Sequence, residues 1–462
     1  MGFLPSGWRV RLGAVAPLGA VAADTRVRDA ARMMRDRRWE KLLPAEPIRF
    51  EKGFRWGVAS SAFQAEGGDV PNDWVALARE GRFPPNPGNG FWERAEEDLR
   101  LVASLGIRHY RLSVEWSRIE PERGRFDENA LDRYRAICDA AREAGVEPWV
   151  NLFHFTHPSW FAKRGGFLDP ANHDDFLRYA ERVGRALHGH VEQFHSQNES
   201  MVYVLGAYLV GELPPFVADR ERAYEMTRSV LALHARTYGI LKEIDARHRV
   251  TTIEVYLNFR AEDPDDEENQ NSIQELDRWY HGCLLEGLAT GRIQLPGCES
   301  EEIPGLQGAL DAYGFNYYST TLLGKSGIGS YSDLDDPPID SMGRAVHPRG
   351  LEEGLLRVSR ALPGVPILVT ENGCPTTDED FRIRYLAAHL ASLDRARRAG
   401  ADVGGYFHWT AVDNYEWDQG FSDARFGLIG FDPESLERRP KRSARWLADL
   451  IERGSLDPAS IP

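Results

Sequence analysis

The stretch Val365-Pro366-Ile367-Leu368-Val369-Thr370-Glu371-Asn372-Gly373 places a carboxylate directly after a short apolar run. The run has the length and β-branched content of a strand buried on both faces, and Asn-Gly marks the turn that ends it. In a parallel barrel, catalytic groups lie at this end of a strand. The segment alone leaves two interpretations of Glu371 open, a catalytic carboxylate and a structural carboxylate satisfied by loop amides.

Similar apolar runs recur along the chain and alternate with amphipathic helical stretches, which is the pattern of parallel βα units. Eight strands are predicted, at 54–60, 107–113, 147–153, 191–197, 250–256, 312–317, 366–370 and 403–408. The helices predicted between them include 93–105, 130–144, 173–188, 220–244, 270–289 and 379–399. Gly106, Gly145 and Gly400 follow three of these helices as stop signals. Eight units predict an α/β fold, a single (β/α)₈ barrel of the TIM type.

Composition limits the partners and cofactors of this chain of 462 residues. A formal charge of -15 argues against a nucleic-acid partner, because phosphate binding needs a basic surface. The cysteines lack C-x-x-C spacing, so neither a zinc site nor a disulfide framework is predicted, and no metal or cofactor is expected. No apolar run is long enough to span a bilayer.

Residues 1–49 are predicted to form an extension ahead of the barrel domain at 50–455, with 456–462 as a C-terminal tail. The extension carries ten basic and five acidic side chains, so it is net positive on an acidic protein. Its apolar stretch 12–23 resembles a signal peptide only weakly. A cytoplasmic location is therefore favoured, with export as the alternative if residues 1–23 act as a signal peptide.

A helix rich in arginine is predicted over 25–43, with Asp24 or Thr25 as its N-cap. In the favoured interpretation this helix packs on the outside of the barrel, because its apolar stripe is narrow. The alternative is a membrane-surface contact through residues 24–43. Its apolar contacts would come from Met33, Met34, Trp39, Leu42 and Leu43.

Polar and aromatic residues recur at the carboxyl ends of the predicted strands. They include Gln64, Glu66, His154, Asn198, Glu199, Asn316, Tyr318, Glu371, His408 and Trp409. Because these strand ends meet at one face of a barrel, we expect the side chains to converge there. Glu199 and Glu371 follow the fourth and seventh strands and form a facing pair, which suits cleavage of a glycosidic bond. The sequence leaves their separation open, and with it the choice between retention and inversion.

Six motifs match one known family in its order. They are FRWGVASSAFQAEG at 54–67, RLSVEWSRIEP at 111–121, QNE at 197–199, GFNYY at 314–318, TENG at 370–373 and WTAVDNYEW at 409–417. Through these motifs the chain resembles the family 1 glycoside hydrolases, the retaining β-glucosidase and β-galactosidase group. One such motif is weak evidence, whereas six spread across the chain are strong.

The resemblance implies a role for each matching residue. Glu371 matches the nucleophile and Glu199 the acid/base, while Arg111 and Tyr318 match the groups that support the nucleophile. Residues that match the sugar-binding positions are Gln64, His154, Asn198, Asn316, Trp409, Glu416 and Trp417. Among them Asn198 would hold the 2-hydroxyl and Trp409 would form the floor of the first subsite.

Two positions near the site depart from the family pattern, and a third narrows the substrate. Ser200 follows Glu199 where the family usually has proline, and Phe155 follows His154 where tryptophan is common. Members that act on 6-phosphorylated sugars have serine in place of Glu416. A carboxylate there would repel phosphate, so an unphosphorylated sugar is favoured.

The glycine-, serine- and aspartate-rich stretch 324–343 is predicted as a loop that forms a wall or lid of the site.

The resemblance implies a small β-glycoside or oligosaccharide as substrate. Hydrolysis of terminal non-reducing β-D-glucosyl residues is expected, with galactosyl or fucosyl residues as further substrates. One alternative is transglycosylation by the same two glutamates. The other is a non-catalytic sugar-binding member, although such members usually lose one catalytic glutamate. The sequence leaves the aglycone and the oligomeric state open.

Overall fold

In a computed structural model that describes residues 38–325 and 327–462, eight parallel strands close into a barrel in chain order. Each strand pairs with the next, and the last pairs with the first. The strands are β1 (Arg55–Ala59), β2 (His109–Ser113), β3 (Glu147–Asn151), β4 (Gln193–Asn198), β5 (Arg249–Val255), β6 (Ala312–Asn316), β7 (Ile367–Asn372) and β8 (Val403–Trp409). The predicted barrel is therefore confirmed.

The main helices surround the barrel. They are α1 (Phe91–Ser104), α2 (Glu128–Glu143), α3 (His173–Ala186), α4 (Arg220–Ile244), α5 (Glu267–Asp277), α6 (Cys283–Thr290), α7 (Pro348–Ala361), α8 (Glu379–Arg398) and α9 (Arg442–Arg453). A π-helical turn, Arg278–Gly282, joins α5 to α6. Gly106, Gly145 and Gly400 have φ values of 74°, 76° and 103°, the left-handed region in which glycine ends a helix without steric cost.

The stretch 324–343 was predicted as a loop, and its first part is instead a β-hairpin. Thr320–Gly324 pairs antiparallel with Gly327–Tyr331, and Arg260–Ala261 adds a short third strand. The paired glycines at 324 and 327 close the turn, so residues that suggested an irregular loop mark the tip of the hairpin. Beyond this hairpin the chain returns toward the barrel, where Met342 packs beside Trp409 and Phe426.

A buried arginine on α8 fixes the loops at the carboxyl end of the barrel. Arg382 is fully buried, and its guanidinium donates to the carbonyl of Cys374 at 2.9 Å and to that of Phe426 at 2.9 Å. Cys374 lies just beyond β7, and Phe426 lies in the connection after β8. One side chain thus joins two neighbouring loops that border the strand ends, which keeps a buried cation fully hydrogen-bonded.

The described end of the N-terminal extension packs against the barrel domain. Residues 38–40 are helical, and Trp39 is 3% exposed in a cluster with Val346, Cys374 and Tyr385. Leu42 and Leu43 also pack against this cluster. Three of the residues that the membrane alternative would use for apolar contacts, Trp39, Leu42 and Leu43, thus pack against the barrel domain. The signal-like stretch, Asp24 and residues 25–37 of the predicted helix lie outside the described residues. Within the described part of the chain, no helix is long and apolar enough to cross a bilayer.

Candidate active site

Glu371 lies near the end of β7 and receives hydrogen bonds from two other parts of the barrel. Arg111, fully buried on β2, donates from Nη2 to Glu371 Oε1. The hydroxyl of Tyr318, two residues beyond β6, donates to Glu371 Oε2. Both carboxylate oxygens are therefore engaged, and one of the two donors is a cation.

Glu199 directly follows β4 and has a different environment. It is 8% exposed, and Asn316 Nδ2 donates to Glu199 Oε1 at 2.7 Å. Burial raises the pKa of Glu199 well above its usual range, and the negative charge of Glu371 raises it further. The surroundings of Glu199 therefore favour its protonated form more than water would.

The backbone at Glu199 is held in a conformation that is unusual for a residue with a Cβ. Its φ of 52° and ψ of 49° lie in the left-handed region, which costs about 1–2 kcal/mol for an L-residue. The backbone amide of Glu199 donates to the carbonyl of Ile253 on β5 at 2.7 Å, and its carbonyl accepts from Tyr203 at 3.0 Å. Strained backbone of this kind persists only where the surrounding structure specifies it, and it clusters at functional sites.

Arg111 also connects Glu371 to Asn198 and, through Asn198, to His154. Arg111 Nη1 donates to Asn198 Oδ1 at 2.9 Å. The side-chain nitrogen of Asn198, Nδ2, lies 3.4 Å from His154 Nε2. Burial lowers the pKa of His154 well below its usual range, and the Arg111 charge lowers it further. His154 is therefore neutral, and it can offer a sugar hydroxyl either a donor or an acceptor.

Aromatic rings border the same space. Trp409 and Trp417 each lie nearly parallel to the His154 ring, with centroids 5.8 Å and 6.2 Å away. Phe155, at the position that departs from the family pattern, has a φ of 70° and meets Trp417 edge to face at 5.3 Å. Indole faces provide apolar area with a polar edge, which suits the apolar face of a sugar ring.

Gln64 binds the residue that precedes Glu416. The Gln64 amide accepts from Ser61 Oγ at 2.8 Å and donates to the carbonyl of Tyr415 at 2.8 Å. Glu416 follows Tyr415 directly and remains partly exposed. Burial raises the pKa of Glu416 to about 7, although the nearby Arg344 charge opposes the increase.

Two residues from the predicted set of strand ends belong to the structure around the site. Glu66 accepts hydrogen bonds from Tyr134 at 3.0 Å and from Arg118 Nε at 3.1 Å. His408 places Nε2 3.0 Å from the carbonyl of Phe426. Each makes hydrogen bonds to a neighbouring element, so both have a structural explanation.

Three residues that the sequence did not single out also bear on the site. Thr370 donates to Asn316 Oδ1 at 2.7 Å and so orients the amide that binds Glu199. Arg344 lies over the Tyr318 ring, with 5.3 Å between the guanidinium carbon and the ring centroid. Glu254, near the end of β5, binds Ser200. A carboxylate near the end of an apolar strand was the signal available for Glu254, the same signal that drew attention to Glu371.

Within the described residues, one group has the side-chain types of a metal site. The ligand atoms of His188, Asp245 and His248 lie within 4.8 Å of one another. His188 and His248 precede β4 and β5, so the group is at the amino ends of the strands, opposite the candidate active site. Arg247 already donates to Asp245 Oδ2 at 2.7 Å, which offsets the charge that a cation would need.

Comparisons with known proteins agree with this geometry. A family model described as Glycosyl hydrolase family 1 matches residues 46–455. Beta-glucosidase A of Thermotoga maritima is 27% identical over 443 residues, which cover 88% of this chain and 99% of that protein. The 6-phospho-beta-galactosidase of Clostridium acetobutylicum is 27% identical and covers 86% of this chain and 96% of its own length. The solved beta-glycosidase from Pyrococcus horikoshii is 32% identical, with a TM-score of 0.81 over 90% of this chain and 97% of that chain.

Proposed function

Because this chain belongs to glycosyl hydrolase family 1, we propose that it is a retaining β-glycosidase that hydrolyses terminal β-D-glucosyl residues. Galactosyl and fucosyl residues are proposed as further substrates. The observation that carries the proposal is the contrast between two neighbouring carboxyl groups. Glu371 accepts hydrogen bonds from Arg111 and Tyr318 on its two oxygens, whereas burial and the Glu371 charge raise the pKa of Glu199. A double displacement needs this division between nucleophile and acid.

In the first step a Glu371 oxygen attacks the anomeric carbon while Glu199 transfers its proton to the glycosidic oxygen. The bond from the anomeric carbon to that oxygen breaks, the aglycone leaves as an alcohol, and the sugar becomes an ester of Glu371. Esterification removes the negative charge of Glu371, which is one of the causes that raise the pKa of Glu199. The pKa of Glu199 therefore falls, and its carboxylate becomes available as a base.

In the second step Glu199 takes a proton from water as the water oxygen attacks the anomeric carbon. The ester bond breaks, Glu371 returns as a carboxylate, and the sugar leaves with its original configuration. Arg111 and Tyr318 again stabilise the returning negative charge. An acceptor alcohol in place of water would give transglycosylation with the same residues, and product analysis with added alcohol measures the ratio.

We assign the sugar to the space bordered by His154, Trp409 and Trp417. Asn198 is proposed to bind the 2-hydroxyl, since Arg111 already fixes its amide oxygen and leaves an N–H to donate. Gln64, Asn316 and Glu416 are proposed to bind other hydroxyls. The carboxylate of Glu416 disfavours a 6-phosphate, which separates the proposed substrate from that named for the 6-phospho-beta-galactosidase relative.

A panel of aryl β-glycosides that differ in the sugar, combined with a 2-fluoro-glucoside trap, tests the proposal. We expect the highest kcat/KM on the glucoside, β-configured first product, and a covalent sugar found by mass spectrometry on the peptide that contains Glu371. An α-configured first product, or a label on another residue, would refute the retaining assignment. Faster cleavage of a 6-phospho-glycoside would refute the proposed substrate class.

A further inference from the structure

A third carboxyl group binds the chain directly after the proposed acid. Glu254, on β5, is 2% exposed. Its Oε1 accepts from the hydroxyl of Ser200, and its Oε2 accepts from the backbone amide of Met201 at 3.1 Å. Both donors belong to the first turn of the short helix Ser200–Val204, which starts immediately after Glu199.

The register between β4 and β5 brings these groups together. The pairing shifts between His195 and Asn198, so that Asn198 lies beside Ile253. Glu199 then donates its amide to the Ile253 carbonyl, which sets Ser200 against Glu254, the next residue on β5. The left-handed backbone at Glu199 is thus held on one side by the strand and on the other by a helix turn anchored to Glu254. A proline at position 200 would supply neither the hydroxyl nor an N–H.

We propose that Glu254 is a positioning residue for Glu199, fixing its orientation through Ser200 and Met201. The inference rests on the proposed function, because it assigns Glu199 the role of acid. It gives Ser200 a purpose at the position where the chain departs from the family pattern. Glu254 itself touches no substrate in this scheme.

The electrostatics of the site support the proposal. Burial raises the pKa of Glu254 to about 7, so it becomes anionic above neutral pH. That charge adds to burial and to Glu371 in raising the pKa of Glu199. The other groups that face the two carboxyls are Arg111, Asn316, Tyr318, Tyr280 and Tyr313. Arg111 and Asn316 lower the pKa of Glu199, so Glu254 acts against them.

The first test is Glu254→Gln, which keeps the shape and removes the charge. We expect the basic limb of the pH profile of kcat/KM to move down by about 0.5–1 unit, because Glu199 loses its proton at lower pH. At pH 8 the loss should be about 3–10-fold on phenyl β-glucoside, whose leaving group needs the proton. On dinitrophenyl β-glucoside, which needs little proton donation, it should stay below about 2-fold.

Ser200→Ala and the double variant test the connection. Without the hydroxyl, Glu254 ionises at higher pH, so the basic limb should move in the same direction by a smaller amount. The double variant should show no shift beyond that of Glu254→Gln alone, because both changes act through one contact. Asp98→Asn is the matched control: this buried carboxylate on α1 pairs with Arg438, outside the site. It should lower thermal stability and leave the limb in place.

An unmoved basic limb, with equal losses on both aryl glucosides, would overturn the proposal and leave Glu254 as a structural helix anchor. A second readout needs no turnover: the infrared carbonyl band of protonated Glu199, identified by its absence in Glu199→Gln, should titrate at lower pH in Glu254→Gln. If the unmodified protein cleaves no β-glycoside, the proposed function fails, and this band still decides whether Glu254 controls the protonation of Glu199.

Discussion

Glu371 and Glu199 occupy the same end of one barrel and are both buried, yet different donors and charges surround them. Glu371 lies within a strand and has a donor on each oxygen, one of them a guanidinium. Glu199 lies just past its strand, with one neutral donor and two carboxyl neighbours. The difference teaches that burial alone does not assign an acid and a nucleophile. The donors and the neighbouring charges do.

The largest effect is expected when Glu371, one of the two compared carboxyls, is replaced. Glu371→Gly removes the proposed nucleophile, so kcat on an aryl β-glucoside should fall by about 10⁵-fold or more. Mass spectrometry after incubation with 2-fluoro-glucoside should show no covalent adduct. Glu66→Gln is the control, since Glu66 is another buried carboxyl whose pKa burial raises to about 7, outside the proposed machinery. Activity within a few-fold of the unmodified protein in Glu371→Gly would contradict the assignment.

Replacing the other carboxyl should give a loss that depends on the substrate. Glu199→Ala should lower kcat/KM by about 10²–10⁴-fold on phenyl β-glucoside, because general acid catalysis contributes that much. On dinitrophenyl β-glucoside the first step should be nearly unchanged, and the glycosyl-enzyme should accumulate since no base activates water. Burst kinetics and mass spectrometry measure this accumulation. Equal losses on the two substrates would remove the distinction between the carboxyls.

Tyr318→Phe should remove one of the two donors to the Glu371 carboxylate and leave the hydrogen bond to Glu199 in place. A hydrogen bond to a charged group contributes about 1.5–3 kcal/mol, so kcat should fall by about 10–100-fold. The basic limb of the pH profile should stay in place, because the hydroxyl donates to Glu371 alone. Tyr317→Phe provides the neighbouring control, since the Tyr317 hydroxyl donates to the His347 carbonyl instead. A moved basic limb in Tyr318→Phe would mean that the two environments are not separate.

The smallest effect is expected from a change in the surroundings of Glu199. Thr370→Val removes the hydroxyl that orients Asn316 toward Glu199. Asn316 lowers the pKa of Glu199, so a weaker bond should move the basic limb of kcat/KM to higher pH, by about 0.3 unit. This direction is opposite to that expected for Glu254→Gln. A pH profile for each variant checks the two signs, and a shift to lower pH in Thr370→Val would contradict the role given to Asn316.

The sequence predicted features that depend on local pattern. Helix α4 occupies the predicted range 220–244, Glu199 directly follows β4, and Glu371 lies next to the last residue of β7. The family motifs directed attention to Arg111 and Tyr318, which do meet Glu371. Arg111 on β2 and Tyr318 just beyond β6 meet at Glu371 because the order of the strands in the barrel follows the order of the chain.

Features that depend on register between distant segments were missed. Ser200 and Glu254 are 54 residues apart, and their contact requires the shifted pairing of β4 with β5. Nothing in either segment alone specifies that shift. The hairpin at Thr320–Gly324 was missed for a similar reason, since its glycines indicate a turn whereas the antiparallel ladder depends on the partner strand.

Arg382 has a consequence for how this protein can evolve. Its guanidinium holds the carbonyls of Cys374 and Thr376 on one loop and of Arg425 and Phe426 on the next. Insertions or deletions in either loop would be selected jointly with changes in the other. Directed evolution of substrate range should therefore find strongly epistatic substitutions between these two loops, and nearly independent ones in loops that Arg382 does not contact.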